Sequence, residues 1–187
     1  MLTQIRSERR GSRVMLFLLA AAGAVLWIMS GVALAVAPAG NPPYSFRVPV
    51  MDVRFPLSFG LLLISTSLGL SLLSVVTVST RRFRIIQMMI FLSGGLHFSG
   101  RLVRDAFLQN VGWEPLLPFG FLLFIGSLFT MGIFALRKKA VAPVTGVLMI
   151  VTALLLLFFN DQYLPFMAVP FGFAVIALSA ILNFLRK

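Results

Sequence analysis

Six stretches of this chain each have the length that a lipid bilayer demands of a helix. A hydrocarbon core of about 30 Å takes roughly 20 apolar residues in α-helical form, because nothing inside it can hydrogen-bond an exposed peptide group. Residues 14–36, 56–80, 85–109, 116–136, 140–159 and 164–185 meet that length. Composition agrees: 59% of the 187 residues are hydrophobic and 11% charged, with a mean hydropathy of +1.02. That leaves too little polar surface to cover a water-soluble globule. The expected fold is all-α: a polytopic membrane helix bundle of six transmembrane helices at 14–187, behind a basic tail at 1–13.

A net charge of +11 raises the question of nucleic acid. Nucleic-acid binding needs Lys and Arg gathered on one folded face, whereas here they punctuate apolar runs, so none is expected as a partner. Their placement reads as topology. Short loops rich in Lys and Arg stay on the cytoplasmic side. Twelve of the 16 basic residues fall in the N-terminal tail (Arg6, Arg9, Arg10, Arg13), at Arg81, Arg82 and Arg84, at Arg137, Lys138 and Lys139, and at Arg186 and Lys187. The other four, Arg47, Arg54, Arg101 and Arg104, share the opposite side with Asp52, Asp105, Glu114 and Asp161. Both termini are therefore expected in the cytoplasm. Tyr44, Trp113 and Tyr163 fall at the outer ends, where amphipathic rings prefer the interface. A second reading of the N-terminus treats Ala33, Ala35 and Ala37 as the cleavage region of a secretory signal, although the apolar run is longer than such signals use. The one long connection, at 37–55, carries prolines at 38, 42, 43 and 49 and is expected to run extended across the outer face.

A short pattern recurs in the even-numbered spans. Phe59-Gly60 with Ser67, Phe119-Gly120 with Ser127, and Phe171-Gly172 with Ser179 share one spacing, and Pro56, Pro118 or Pro170 stands just before each pair. Three hairpins repeated in one sense would produce it; so would chance in an alphabet rich in Leu, Phe, Gly and Ser. Small residues seven apart share a helix face, so Gly60, Ser67, Gly120, Ser127, Gly172 and Ser179 are expected to let backbones approach closely, and Gly95 and Ser99 in the third span likewise.

The third span carries the chemistry. His97, Arg101 and Asp105 are spaced i, i+4, i+8 with Arg104 beside them, which puts an imidazole, two guanidiniums and a carboxylate along one side of a helix. Ionisable groups at membrane depth cost several kcal/mol unless hosted, and are functional candidates for that reason. Two arrangements are open. The arginines can snorkel to outer phosphates while His97 bonds across a helix interface. Alternatively, Arg101 and Arg104 hold an anionic group beside His97 in an outward-opening pocket with Asp52, Arg54 and Asp161 at its rim.

Much chemistry is excluded. With no Cys and one His, thiolate and multi-histidine metal sites and bis-histidine haem cannot be built, and no H-E-x-x-H, G-x-S-x-G, Walker or dinucleotide motif occurs. A serine nucleophile at Ser93 or Ser99, near His97, stays open. No metal or other cofactor is expected. The expected role is a non-catalytic accessory or assembly subunit in a bacterial-type inner (plasma) membrane, with the lipid bilayer, other membrane subunits or further copies of itself as partners. The alternative is an outward-facing binding, transport or lipid-modifying protein built on His97, Arg101, Arg104 and Asp105.

Overall fold

The computed structural model describes residues 2–36, 54–75, 81–107, 115–138, 141–159 and 164–185, and among them the chain is helical. The helices are α1 (Leu2–Ala35), α2 (Arg54–Val75), α3 (Arg81–Phe107), α4 (Leu116–Lys138), α5 (Pro143–Phe158) and α6 (Ala168–Phe184), with a 3₁₀ turn at Pro165–Met167 before α6. Four are long and apolar enough to cross a membrane: α1 from Gly11, α2, α4 and α6 with its 3₁₀ turn. At 16 residues, α5 spans only about 24 Å. In α3 the length suffices, but polar and charged residues dilute its apolarity.

Helix ends differ from the expected spans for local reasons. No proline interrupts residues 2–13, so α1 runs back to Leu2 through the basic tail instead of starting at residue 14. Ala142 is held extended (φ −54°, ψ 139°) by the following proline, so α5 starts at Pro143 rather than at residue 140. Pro56, Pro118 and Pro170 each occupy the third position of their helix, where the missing N–H would have had no acceptor; none sits in a helix interior where it would force a kink. Most of the loop at 37–55, with Asp52, lies outside the described residues, as do Trp113, Glu114 and Asp161.

The six helices close a ring in chain order, each packed on the next and α6 returning to α1; α2 also touches α6. Glycine approaches show five of the seams to be antiparallel. A Cβ on Gly60 would lie 2.8 Å from the Gly23 carbonyl and 2.7 Å from Trp27 Cδ1, fixing α2 on α1. Gly94 abuts Leu61 and Leu62 of α2, and Gly69 abuts Phe91 of α3. Gly120 abuts Ser93 and His97 of α3, and Gly100 abuts Leu116 and Leu117 of α4. Gly132 and Gly146 meet at the α4–α5 seam, where Gly146 also touches Leu136 and Gly132 touches Ile150. Gly31 meets Ala168, and Gly172 meets Ala24 and Ile28, at the α6–α1 seam. Gly172 therefore packs on α1, whereas Gly60 and Gly120 pack on the helix that precedes them in the chain. The third member of the recurring pattern plays a different part from the first two.

Apolar side chains face outward as well as inward, unlike those of a soluble protein, and many small polar ones lie inside among the apolar core. Ser58, Ser65, Ser67, Ser71, Gln87, Ser93, Thr145, Thr152, Ser179 and Asn183 are buried, while Met15, Leu18, Met29, Leu122, Val144 and Leu157 are exposed. Asn183 Nδ2 donates to Ser71 Oγ at 3.1 Å and to the Ser179 carbonyl at 2.9 Å, tying α6 to α2. Gln87 donates to the Gly69 carbonyl at 2.7 Å. Ser67 Oγ donates to the Leu16 carbonyl of α1, and Ser127 Oγ to the Leu123 carbonyl of its own helix.

Gly23→Leu should force α1 off α2 and lower stability in detergent by about 1–3 kcal/mol, the usual scale of overpacking. The open position Gly126, where a Cβ would meet nothing, serves as the control, and Gly126→Leu should leave the melting temperature unchanged. Equal thermal shifts for the two variants would contradict this packing.

Candidate functional site

The polar stripe of α3 turns inward. Ile90, Ser93, Gly94, Gly100 and Arg101 are buried on one side of that helix, with His97 partly buried among them, while Met88, Met89, Phe91, Leu92, Ser99 and Leu102 are exposed on the other. The periodicity is that of an ordinary amphipathic helix whose inner face happens to be its polar one.

Gly120 sets the geometry at His97. A Cβ there would lie 2.5 Å from the His97 backbone nitrogen, so only the missing side chain lets α3 and α4 come this close. Leu117, one turn earlier on α4, then presents its carbonyl oxygen 2.8 Å from His97 Nδ1. On the other side of the ring, Ser58 Oγ of α2 lies 3.2 Å from His97 Nε2. A carbonyl only accepts, so Nδ1 carries the proton and donates to it; neutral imidazole is then left with a lone pair on Nε2 that accepts from the Ser58 hydroxyl. One side chain thus joins three helices through residues 39 and 20 positions away in sequence.

Arg101 lies one turn beyond His97 on the same face and is only 3% exposed. Arg104 is half-buried. Asp105 belongs to α3 and Arg54 is the first residue of α2, but their side chains, like all of Asp52 and Asp161, lie outside the described residues. The three stripe residues with described side chains therefore resolve into an imidazole and a guanidinium inside the bundle and a second guanidinium near its edge. Among the described residues no group of three or more His, Asp or Glu is placed to hold a metal ion.

An aromatic wall lines the interior beside them. The His97 ring centroid is 6.0 Å from that of Phe121, which stacks on Trp27 at 6.4 Å; Phe159 and Phe171 close on Trp27 at 4.8 and 4.9 Å. Trp27 is fully buried, and its Nε1–H has no hydrogen-bond partner among the described residues. Buried donors without acceptors are rare because each forfeits the hydrogen bond that water would supply.

Among the small residues expected to pack, Gly60, Gly120 and Gly172 lie at helix crossings, while a Cβ on Gly95 would meet nothing and Ser99 faces out; the adjacent Gly94 and Gly100 make the close approaches instead. Ser93 bonds back to the Ile90 carbonyl at 2.6 Å, so neither Ser93 nor Ser99 is the hydroxyl that meets His97. Ser58 carries no local motif that marks it. Trp27 does carry a signal, being an indole in mid-span, away from the interfaces where tryptophan usually lies.

Because the chain has a single His, a ¹⁵N spectrum of the labelled protein reports one imidazole. At a pH where the ring is neutral, it should show the Nδ1–H tautomer, and Gly120→Ala, which pushes α4 away, should abolish that preference. A wild-type ring protonated on Nε2 would contradict the bond to Leu117. Compared with known proteins, the chain matches no family model, and no curated protein or solved structure is significantly similar to it.

Proposed function

We propose that the chain is a six-span protein of a bacterial-type plasma membrane, with both termini cytoplasmic, that binds an anionic group at His97 and Arg101 in the outer half of the bilayer. The antiparallel seams support that topology: they gather Arg81, Arg82, Arg84, Arg137 and Lys138 at the end of the bundle where α1 begins, and put Arg101 and Arg104 at the other. The observation that carries the binding reading is the burial of Arg101, at 3% exposure, among described buried polar side chains that are otherwise uncharged. A guanidinium kept only for topology would reach the interface, where its solvation costs little. Buried inside the protein it contributes little net stability even when paired, because desolvation offsets the attraction, so its retention points to use. The buried Nε1–H of Trp27, which has no partner among the described residues and lies across Phe121 from His97, adds a second group able to meet a bound polar molecule.

A non-catalytic accessory subunit that packs against partner membrane helices is the second reading. It is favoured by the pairing of both His97 nitrogens within the chain itself, as in a side chain whose only task is to join helices.

Native mass spectrometry separates the two. After incubation with phosphatidylglycerol, phosphatidylcholine or inorganic phosphate, the wild-type protein should retain the anionic lipid over the zwitterionic one. Arg101→Gln should weaken that retention about tenfold, the equivalent of one charge-assisted hydrogen bond. Phosphate displacing the lipid would identify the free anion as the ligand. Equal retention of both lipids by both proteins, with a co-purifying subunit, would favour the accessory role.

A further inference from the structure

Ser58 and His97 are joined in the order that nucleophilic catalysis uses. A serine hydroxyl is a weak nucleophile until a base within hydrogen-bond reach can take its proton, and the base works only if a third group holds it in the right tautomer. Ser58 Oγ lies 3.2 Å from Nε2, and the Leu117 carbonyl, 2.8 Å from Nδ1, fixes the proton on the far nitrogen. The near nitrogen therefore faces the hydroxyl with its lone pair. Ser58 lies one turn from the start of α2 and is itself buried, so a substrate reaches the dyad from the side of His97, which is partly exposed.

We infer that Ser58 and His97 form an acyl-transfer centre acting on an ester of an anionic lipid; this rests on the anion-binding reading of Arg101. Ser58 Oγ attacks the ester carbonyl carbon while its proton passes to His97 Nε2. The tetrahedral oxyanion collapses, the bond from carbon to the lipid oxygen breaks, and that oxygen takes the proton from Nε2 to leave as an alcohol. Water then attacks the acyl-serine with His97 again as base, releasing a carboxylic acid and restoring the hydroxyl. Each proton taken by the imidazole is returned, and no oxidant or metal is required. Arg101, one turn from His97 on the same face of α3, contacts the anionic group of the lipid, which restricts the reaction to anionic lipids.

The test uses the full chain in mild detergent and a fluorophosphonate probe. The expected result is one adduct, mapped by peptide mass spectrometry to Ser58, absent in Ser58→Ala and formed at least tenfold more slowly in His97→Gln. Glutamine can still donate to the Leu117 carbonyl, so it preserves the helix contact while removing the base. In the wild-type protein, phosphatidylglycerol should slow labelling and phosphatidylcholine should not; this arm needs no variant to fold. A folded wild-type protein that leaves Ser58 unlabelled overturns the inference, as does an unchanged labelling rate in a folded His97→Gln variant. Equal protection by the two lipids overturns the substrate class. Selective lipid retention without labelling removes the dyad and leaves the binding site standing; labelling without lipid selectivity does the converse.

Discussion

Backbone contact at glycine is the constraint on which this structure depends. A helix surrounded by acyl chains gains little by hiding leucine from its surroundings, so association has to come from close packing and hydrogen bonding. Every seam but the α5–α6 one has a glycine where a β-carbon would collide with the neighbouring helix. Those approaches leave main-chain carbonyls within reach of side chains on the next helix, and it is there that polar groups are found. Gln87 meets the Gly69 carbonyl, and His97 meets that of Leu117 one turn from Gly120. Packing and polar chemistry are thus one arrangement seen twice.

The interior has two polar regions of different character. Towards the end where α1 begins, Ser71, Ser179 and Asn183 satisfy one another across α2 and α6. Such a closed network adds cohesion and leaves no group for a ligand. Towards the other end, His97, Ser58 and Arg101 stand beside an aromatic wall in which the Trp27 donor has no partner among the described residues. Natural interiors seldom tolerate that mismatch without a use for it. The contrast directs attention to the second region.

Helix number and approximate position were legible because each apolar run is close to the length of a bilayer crossing. Pro56 and Pro118 fall in the first turn of α2 and α4 as in the expected spans, whereas α6 begins at Ala168 instead of residue 164, after the 3₁₀ turn at Pro165–Met167. Helix ends were less legible where one residue type carries two meanings. Arginines in the first 13 residues mark a topological side, yet they are also good helix formers, and α1 continues through them. Gly94 and Gly95 are chemically identical neighbours, and only the first faces α2, because a rotation of about 100° per residue separates them.

By itself the sequence determined the helical elements, the segregation of basic residues at their ends, and the presence of one imidazole and two guanidiniums on a single helix, since these follow from local composition and the 3.6-residue period. Only the tertiary structure decided that the stripe faces the interior, that α6 closes back on α1, and that Ser58 rather than Ser93 or Ser99 meets His97. Those facts depend on which glycines come into contact, and contact between residues tens of positions apart is set by the joint packing of all six helices rather than by any one of them.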